Sequence, residues 1–113
     1  MKNTGKTVAR KGGLPSVENP AGIFRTTLSY GPSIMMCHFD MKKGAIVPMH
    51  GHTAAQNGYM IRGKIRFKRG ETGSFIAEPG CSWFFEGNEP HGAEVLEDSE
   101  VIECFSPMRP EYA

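Results

Sequence analysis

The sequence predicts one all-β domain, either a sandwich or a barrel, from two observations. Its 113 residues include 14 glycines and 8 prolines spread along the chain, which indicates many tight turns. Between these turns lie short runs of β-branched and aromatic residues, with no convincing amphipathic helix. The length suffices for one hydrophobic core and is too short for two.

The elements follow in order along the chain. Residues 1–22 are rich in Lys, Gly, Pro and Asn and predict a loose N-terminal arm, so the barrel domain is placed at residues 23–113. Strand-like runs then occur at 23–30, 33–41, 59–62, 64–68, 74–77, 82–85, 91–96 and 100–105. We expect an acidic turn, Glu97 to Ser99, between the last two runs. The alternating Lys and Arg of 64–68 predict a solvated face of a hairpin arm, with an anion-binding patch as the alternative.

Composition excludes several classes of function. The formal net charge is +1 and no basic block stands out, so nucleic acid is not an expected partner. No apolar run approaches the roughly 20 residues that cross a bilayer, and the first residues lack the apolar segment of a secretory signal, so we expect a cytoplasmic protein. Cys37, Cys81 and Cys104 are odd in number and widely separated, which predicts reduced core thiols.

A histidine pair provides the first chemical signal. His50 and His52 are one residue apart, so on an extended chain their imidazoles project to the same side and can reach one divalent cation. Gln56 follows on the next predicted strand, and His91 lies downstream. We predict that these four residues form one metal site. Unrelated loop and turn histidines are the alternative.

The pattern around these residues resembles the cupin motifs. The segment from Gly44 to Gly63 fits the first motif, with a glycine, His-x-His, an acid or amide and a second glycine, and the segment from Pro79 to His91 fits the second. The resemblance spans about residues 33–112 and implies a double-stranded β-helix, the jelly-roll barrel, as a single domain. It implies that His50, His52, Gln56 and His91 hold one divalent transition metal, namely Zn, Ni, Mn, Fe or Co.

Gln56 departs from the glutamate that most cupins carry at this position. An uncharged amide leaves the metal its full +2 charge, which favours Lewis-acid chemistry over oxygen activation. The sequence therefore favours a non-redox reaction.

The tail carries a second resemblance, to the pectin-degradation cupins that linearise unsaturated uronic acids and also use a glutamine ligand. Their last strand presents an aspartate, a phenylalanine and an arginine to the substrate, and these positions here are Glu103, Phe105 and Arg109. The resemblance implies that Glu103 moves a proton and that Arg109 grips a carboxylate. Phe105 as a core residue and Arg109 as a surface or dimer-interface charge are the alternatives.

Three further residues are weaker candidates for the pocket. His38 could point into the barrel near the metal or serve as a structural histidine. Tyr59 and Trp83, together with Phe85, could form an aromatic wall for a flat or sugar-like ligand, or fill the barrel core.

These observations predict a metal-dependent enzyme of the isomerase or lyase type that acts on a small carboxylate ligand, specifically an unsaturated uronate. The alternatives are a non-catalytic metal- or ligand-binding cupin module, a metal-dependent oxygenase and a polyketide cyclase. Ile102 and Cys104 place apolar side chains on the second face of the last strand, so we expect a homodimer to cover that face.

Overall fold

The computed structural model describes residues 6–70 and 73–113, and the regular structure in this part of the chain is almost entirely β-strand. The eight strands are β1 (Val17–Glu18), β2 (Ile23–Gly31), β3 (Ile34–Met41), β4 (Ile46–His50), β5 (Ala55–Arg69), β6 (Gly73–Ala77), β7 (Ser82–Phe85) and β8 (His91–Ser106). A single 3₁₀ turn, Pro110–Tyr112, follows β8. Among the described residues there is no helix long and apolar enough to span a membrane.

Two long strands, β5 and β8, hold the barrel together. The first part of β8 pairs with β4 and the last part pairs with β3, while β5 runs antiparallel to β8 along most of its length. The first part of β5 also pairs with β7 and its last part with β6. Because β5 and β8 pair with each other and each also pairs with two further strands, they join the strands into one closed structure. This is the jelly-roll barrel that the sequence predicts.

The pairing of β5 with β8 shifts its register around Gly63. The φ of Gly63 is +108°, and a Cβ built there would lie 2.1 Å from Oγ of Ser99. Ser99 accepts a hydrogen bond from the backbone N–H of Lys64 at 3.0 Å and donates one to the carbonyl of Glu97 at 2.7 Å. The expected acidic turn at residues 97–99 is therefore wrong. These residues stay within β8, because Ser99 satisfies the backbone groups freed where the register shifts.

The barrel interior is filled by alternate residues of the strands. On β3 the buried side chains include Met35, Cys37 and Phe39, and on β8 they include Val101 and Phe105. This alternation is the period of two expected for strands with one face on a core.

The three cysteines are free, but they differ in environment. Cys37 is buried and Cys104 is half-buried, whereas Cys81 is exposed. The prediction of a core position is wrong for Cys81, because this residue follows the Pro79–Gly80 turn at the surface.

The N-terminal segment lies along β2 of its own chain. β1 pairs with β2, and the backbone N–H groups of Lys6 and Tyr30 each donate to the other residue's carbonyl, at 2.6 and 3.0 Å. Asn19 and Pro20, between β1 and β2, reach the wall of the barrel cavity.

Candidate metal centre

Three histidines meet at one end of the barrel. His50 ends β4 and lies directly opposite His91, which begins β8, while His52 follows in the connection to β5. One ligating nitrogen of each residue lies within 4.8 Å of the others. The shortest distance between ring centroids, 4.5 Å, joins His50 and His91. Three imidazoles at this separation can bind a single cation.

Each imidazole is oriented by a backbone carbonyl. Nδ1 of His50, His52 and His91 lies 2.9, 2.7 and 2.8 Å from the carbonyl oxygens of Pro48, Ala54 and Glu89, respectively. A carbonyl oxygen can only accept, so each Nδ1 carries the hydrogen and each neutral ring keeps a free lone pair on Nε2. A hydrogen bond from the ring nitrogen that does not bind the metal to a backbone carbonyl is typical of metal-binding histidines.

The protonation states of two histidines agree with this arrangement. Burial lowers the pKa of His91, and burial followed by the Arg109 charge lowers the pKa of His52. Both rings are therefore neutral at neutral pH. Nε2 of His91 is buried and has no hydrogen-bond partner within the described part of the chain. A bound cation would give this buried lone pair the partner that it lacks.

Gln56 adds a fourth potential metal ligand, its side-chain oxygen, beside His52. Its Oε1 lies 2.8 Å from Nε2 of His52, and its Nε2 donates to Oε2 of Glu103 at 2.9 Å. The bond to Glu103 fixes the amide so that its oxygen faces the imidazole lone pair. Two acceptors at this distance repel each other unless one cation binds both, so the residues fit a divalent transition metal.

Glu103 lies behind the candidate metal ligands, inside the barrel. Its Oε2 accepts hydrogen bonds from Gln56 and, at 2.8 Å, from Nε1 of Trp83. Burial raises the pKa of the Glu103 carboxyl to about 7, although these two donors and the Arg109 charge act in the opposite direction. A carboxyl group with this pKa can both accept and release a proton at neutral pH.

The cavity beside this centre is partly polar and partly apolar. Its walls include His50, Gln56, His91, Glu103, Phe105, Arg109 and Tyr112, with Asn19 and Pro20 from the N-terminal segment. Glu103 and Phe105 both reach it because they are two residues apart on one strand.

Arg109 is held at the cavity by the tail of the chain. Its Nη1 donates to the Tyr112 hydroxyl at 2.9 Å, and its Nη2 donates to the Glu111 carboxylate at 2.9 Å. The guanidinium also lies over the Tyr112 ring, 4.2 Å from the centroid. Only 14% of the Arg109 side chain is exposed, against 58% for Glu111.

Two weaker candidates lie elsewhere. His38 is on the face of β3 opposite Cys37 and Phe39, and its Nε2 contacts the Glu100 carboxylate at 2.6 Å. Tyr59 is 50% exposed on the outer face of β5. Trp83, in contrast, packs inside the barrel against Phe67 and reaches Glu103.

Tyr112, Asn19 and Pro20 were not singled out by the sequence. Tyr112 is three residues from Arg109, and that short spacing is the one signal that could have suggested a contact between them. Asn19 and Pro20 carry no comparable pattern.

Comparison with known proteins identifies the family. Residues 37–105 match the model of the cupin domain, so the chain belongs to the cupin family. No curated protein matches it.

Solved structures of similar shape agree with this assignment. An RmlC-like cupin from Shewanella frigidimarina NCIMB 400 has a TM-score of 0.90 at 21% identity, covering 97% of this chain and 99% of the other. KdgF from Halomonas sp. has a TM-score of 0.86 at 27% identity, covering 94% and 99%. The polyketide cyclase RemF from Streptomyces resistomycificus has a TM-score of 0.75 at 16% identity, covering 89% and 79%. The chain is thus a cupin that resembles KdgF.

Proposed function

We propose that the chain is a metal-dependent, non-redox enzyme that opens and tautomerises a small unsaturated sugar acid, a uronate. One observation carries this proposal: the Glu103 carboxyl is hydrogen-bonded to Gln56, a candidate metal ligand, and lines the same cavity as Arg109. A carboxyl group that can transfer a proton, Glu103, and a guanidinium that can bind a carboxylate, Arg109, therefore lie beside the candidate metal ligands.

His50, His52, His91 and Gln56 would hold the metal. When bound, it supplies Lewis acidity toward an oxygen of the substrate. All four ligands are neutral, so they do not reduce the charge of the cation. This supports polarisation of a hydroxyl or carbonyl oxygen rather than oxidation.

Arg109 binds the substrate carboxylate. In the free protein, its guanidinium donates to Glu111, whose side chain is mostly exposed. An exposed ion pair contributes little free energy, so exchange of the Glu111 carboxylate for that of the substrate costs little. The bond from Nη1 to Tyr112 keeps the guanidinium aligned during the exchange.

Glu103 transfers the proton. Because Oε2 already accepts two hydrogen bonds, Oε1 is the oxygen left to accept the proton of the sugar's hemiacetal hydroxyl. The bond between the anomeric carbon and the ring oxygen then breaks, giving an aldehyde and an enolate. Glu103 returns its proton to the carbon of the former double bond that does not carry the ring oxygen. The carbon that carries this oxygen becomes a ketone. The reaction is an isomerisation, and no atom or electron is gained or lost.

The test uses protein purified without a metal-affinity tag, with its metal identified by elemental analysis. The sample is mixed with a panel of unsaturated uronates while the ultraviolet absorption of their double bond is followed. Loss of absorption is expected, and Glu103→Gln should abolish it while the metal content stays unchanged. Retained turnover in this variant would overturn the role of Glu103.

The same panel separates the alternative functions. No loss of absorption with any uronate would contradict the proposed reaction and favour a ligand-binding module. Oxygen consumption during turnover would favour an oxygenase. Cyclisation of a polyketide instead of any reaction with uronates would favour a cyclase.

The partner that best fits the outer face is a second copy of the chain. Across β7, β5, β8 and β3, the residues Phe84, Asn57, Cys104 and Met36 lie side by side. Tyr59 extends the apolar area on this face, and the side chains of Phe84 and Tyr59 are each 50% exposed. An apolar sheet face of this kind is typical of a self-complementary interface.

Sedimentation at micromolar concentration tests this partner. A dimer is expected, and Phe84→Glu should dissociate it because the substitution places two charges at a self-complementary apolar contact. A wild-type monomer at this concentration would contradict the homodimer.

A further inference from the structure

Trp83, Gly58 and Glu103 form a row across three adjacent strands. Gly58 of β5 lies directly opposite Trp83 of β7 on one side and directly opposite Glu103 of β8 on the other. Residues that face each other across antiparallel strands project to the same side of the sheet. The side chains of Trp83 and Glu103 therefore project to one side, separated by a residue that has no side chain.

Gly58 makes room for the indole of Trp83. A Cβ built on Gly58 would lie 2.5 Å from Cε2 and Cζ2 and 2.7 Å from Nε1 of this ring. The indole thus lies across the Gly58 backbone and extends from β7 to β8, where Nε1 reaches Glu103 at 2.8 Å. Any larger residue at position 58 would displace the ring from this path.

Two donors converge on a single carboxylate oxygen. Oε2 of Glu103 accepts from Nε1 of Trp83 and from Nε2 of Gln56, and the amide oxygen of Gln56 faces His52 at 2.8 Å. Trp83 can only donate, so its contact does not compete for the amide hydrogen. The glutamate side chain is flexible, and two donors to one oxygen restrict its torsions.

We propose that Trp83 is a positioning residue: it fixes the Glu103 carboxylate, which in turn orients the amide of Gln56 with its oxygen toward the metal, and Gly58 provides the space for this contact. The consequence for turnover rests on the proposed function. The consequence for metal binding depends only on the ligand set. Contacts behind a metal ligand of this kind typically change metal affinity by about 10- to 100-fold.

A role in packing alone predicts a different outcome. Trp83 is buried and packs against Phe67, so its loss would lower stability in either case. If Trp83 served only to pack the core, Trp83→Phe would lower stability but leave the affinity and the coordination of the metal unchanged. The readouts are therefore metal affinity and spectroscopy, with thermal stability measured alongside.

The experiment titrates metal-free protein with Co²⁺, whose visible absorption reports its coordination. Trp83→Phe removes the N–H and keeps an aromatic ring, and Gly58→Ala displaces the indole without changing its chemistry. Both should weaken Co²⁺ binding by about 10-fold or more and change its spectrum. Gly31→Ala is the matched control, since a Cβ there meets nothing within 4 Å. Wild-type affinity and spectrum in Trp83→Phe would overturn the proposal.

The emission of Trp83 supplies a second readout, because this residue is the one tryptophan of the sequence. Excitation moves electron density away from the pyrrole ring, so a carboxylate beside Nε1 lowers the energy of the excited state. At pH 9, where the Glu103 carboxyl is ionised, Glu103→Gln removes that charge at nearly constant volume and should shift the emission of metal-free protein to shorter wavelength. Unchanged emission would contradict the contact, even if Trp83→Phe failed to fold.

Kinetics complete the test where the wild type turns over a uronate. Trp83→Phe should lower kcat by about 10-fold or more with little change in KM, because the substrate carboxylate is bound elsewhere. If the wild type turns over no uronate, the proposed function fails, and the Co²⁺ and emission measurements still decide the role of Trp83.

Discussion

Nε2 of His52 and Oε1 of Gln56 lie 2.8 Å apart, although neither atom carries a hydrogen in the neutral residues. The Ala54 carbonyl accepts a hydrogen bond from Nδ1 of His52, and Oε2 of Glu103 accepts one from the amide nitrogen of Gln56. The two lone pairs therefore face each other and leave a position suited to a cation. This relationship links the candidate metal ligands to Glu103, the residue proposed to transfer the proton.

Metal binding should stabilise the fold. A ligand that binds only the folded protein at 100 times its Kd adds about 2.7 kcal/mol, which raises the Tm of a domain of this size by about 10 °C. We expect this increase when Ni²⁺ or Zn²⁺ is added to metal-free protein in calorimetry. His91→Ala should abolish it, whereas Tyr59→Ala, at an exposed position outside the histidine cluster, should keep it. An equal response in both variants would contradict the site.

Glu103 should make the stability of the metal-free protein depend on pH. Its pKa is about 7 in the folded protein against 4.5 as the ordinary value, so between these values the folded protein keeps a proton that the unfolded chain has released. The free energy of unfolding therefore falls as pH rises through this window and is level above it.

The comparison with Glu103→Gln isolates this effect. The lowered pKa values of His52 and His91 act in the opposite sense below about pH 6.5, and they act in both proteins. The stability of the variant relative to the wild type should rise by about 3 kcal/mol from pH 4 to pH 8 in urea unfolding. A constant difference would contradict the raised pKa of Glu103.

Gly63 should tolerate no side chain. Its φ of +108° disfavours other residues, and a Cβ would lie 2.1 Å from Oγ and 2.5 Å from Cα of Ser99. We expect Gly63→Ala to lower the free energy of unfolding by about 3 kcal/mol or more. Gly44→Ala is the control, because Gly44 has a φ of +91° with nothing within 4 Å and should cost about 1 kcal/mol. Equal losses would show that the contact with Ser99 does not matter.

The three cysteines should react in a fixed order with iodoacetamide. Cys81 is exposed, whereas burial raises the pKa of Cys37 to about 11 and also raises the pKa of Cys104. Because the thiolate is the reactive form, mass spectrometry of the folded protein should find Cys81 labelled first and Cys37 last. Labelling in denaturant, where the rates should become similar, is the control. Early labelling of Cys37 in the native protein would contradict its burial.

Local periodicity determined much of the metal centre. The expected alternation brought Glu103 and Phe105 to one cavity wall, whereas His52 meets His50 from the connection that follows β4. The spacing of His91 and Gln56 within the cupin pattern added the other two candidate ligands. These relationships are encoded over a few residues or in a compact motif, so the sequence alone could predict that the three histidines lie together, as they do in the structure.

Other contacts depend on register and closure of the barrel. The run Cys37-His38-Phe39 does not say which residues face inward, and pairing with β8 decided that Cys37 and Phe39 do while His38 meets Glu100. Likewise, the contact of Trp83 with Glu103 requires Gly58 between them in register on the intervening strand. Alternation fixes the two faces of a strand, but strand pairing is a long-range property that only the tertiary structure decided.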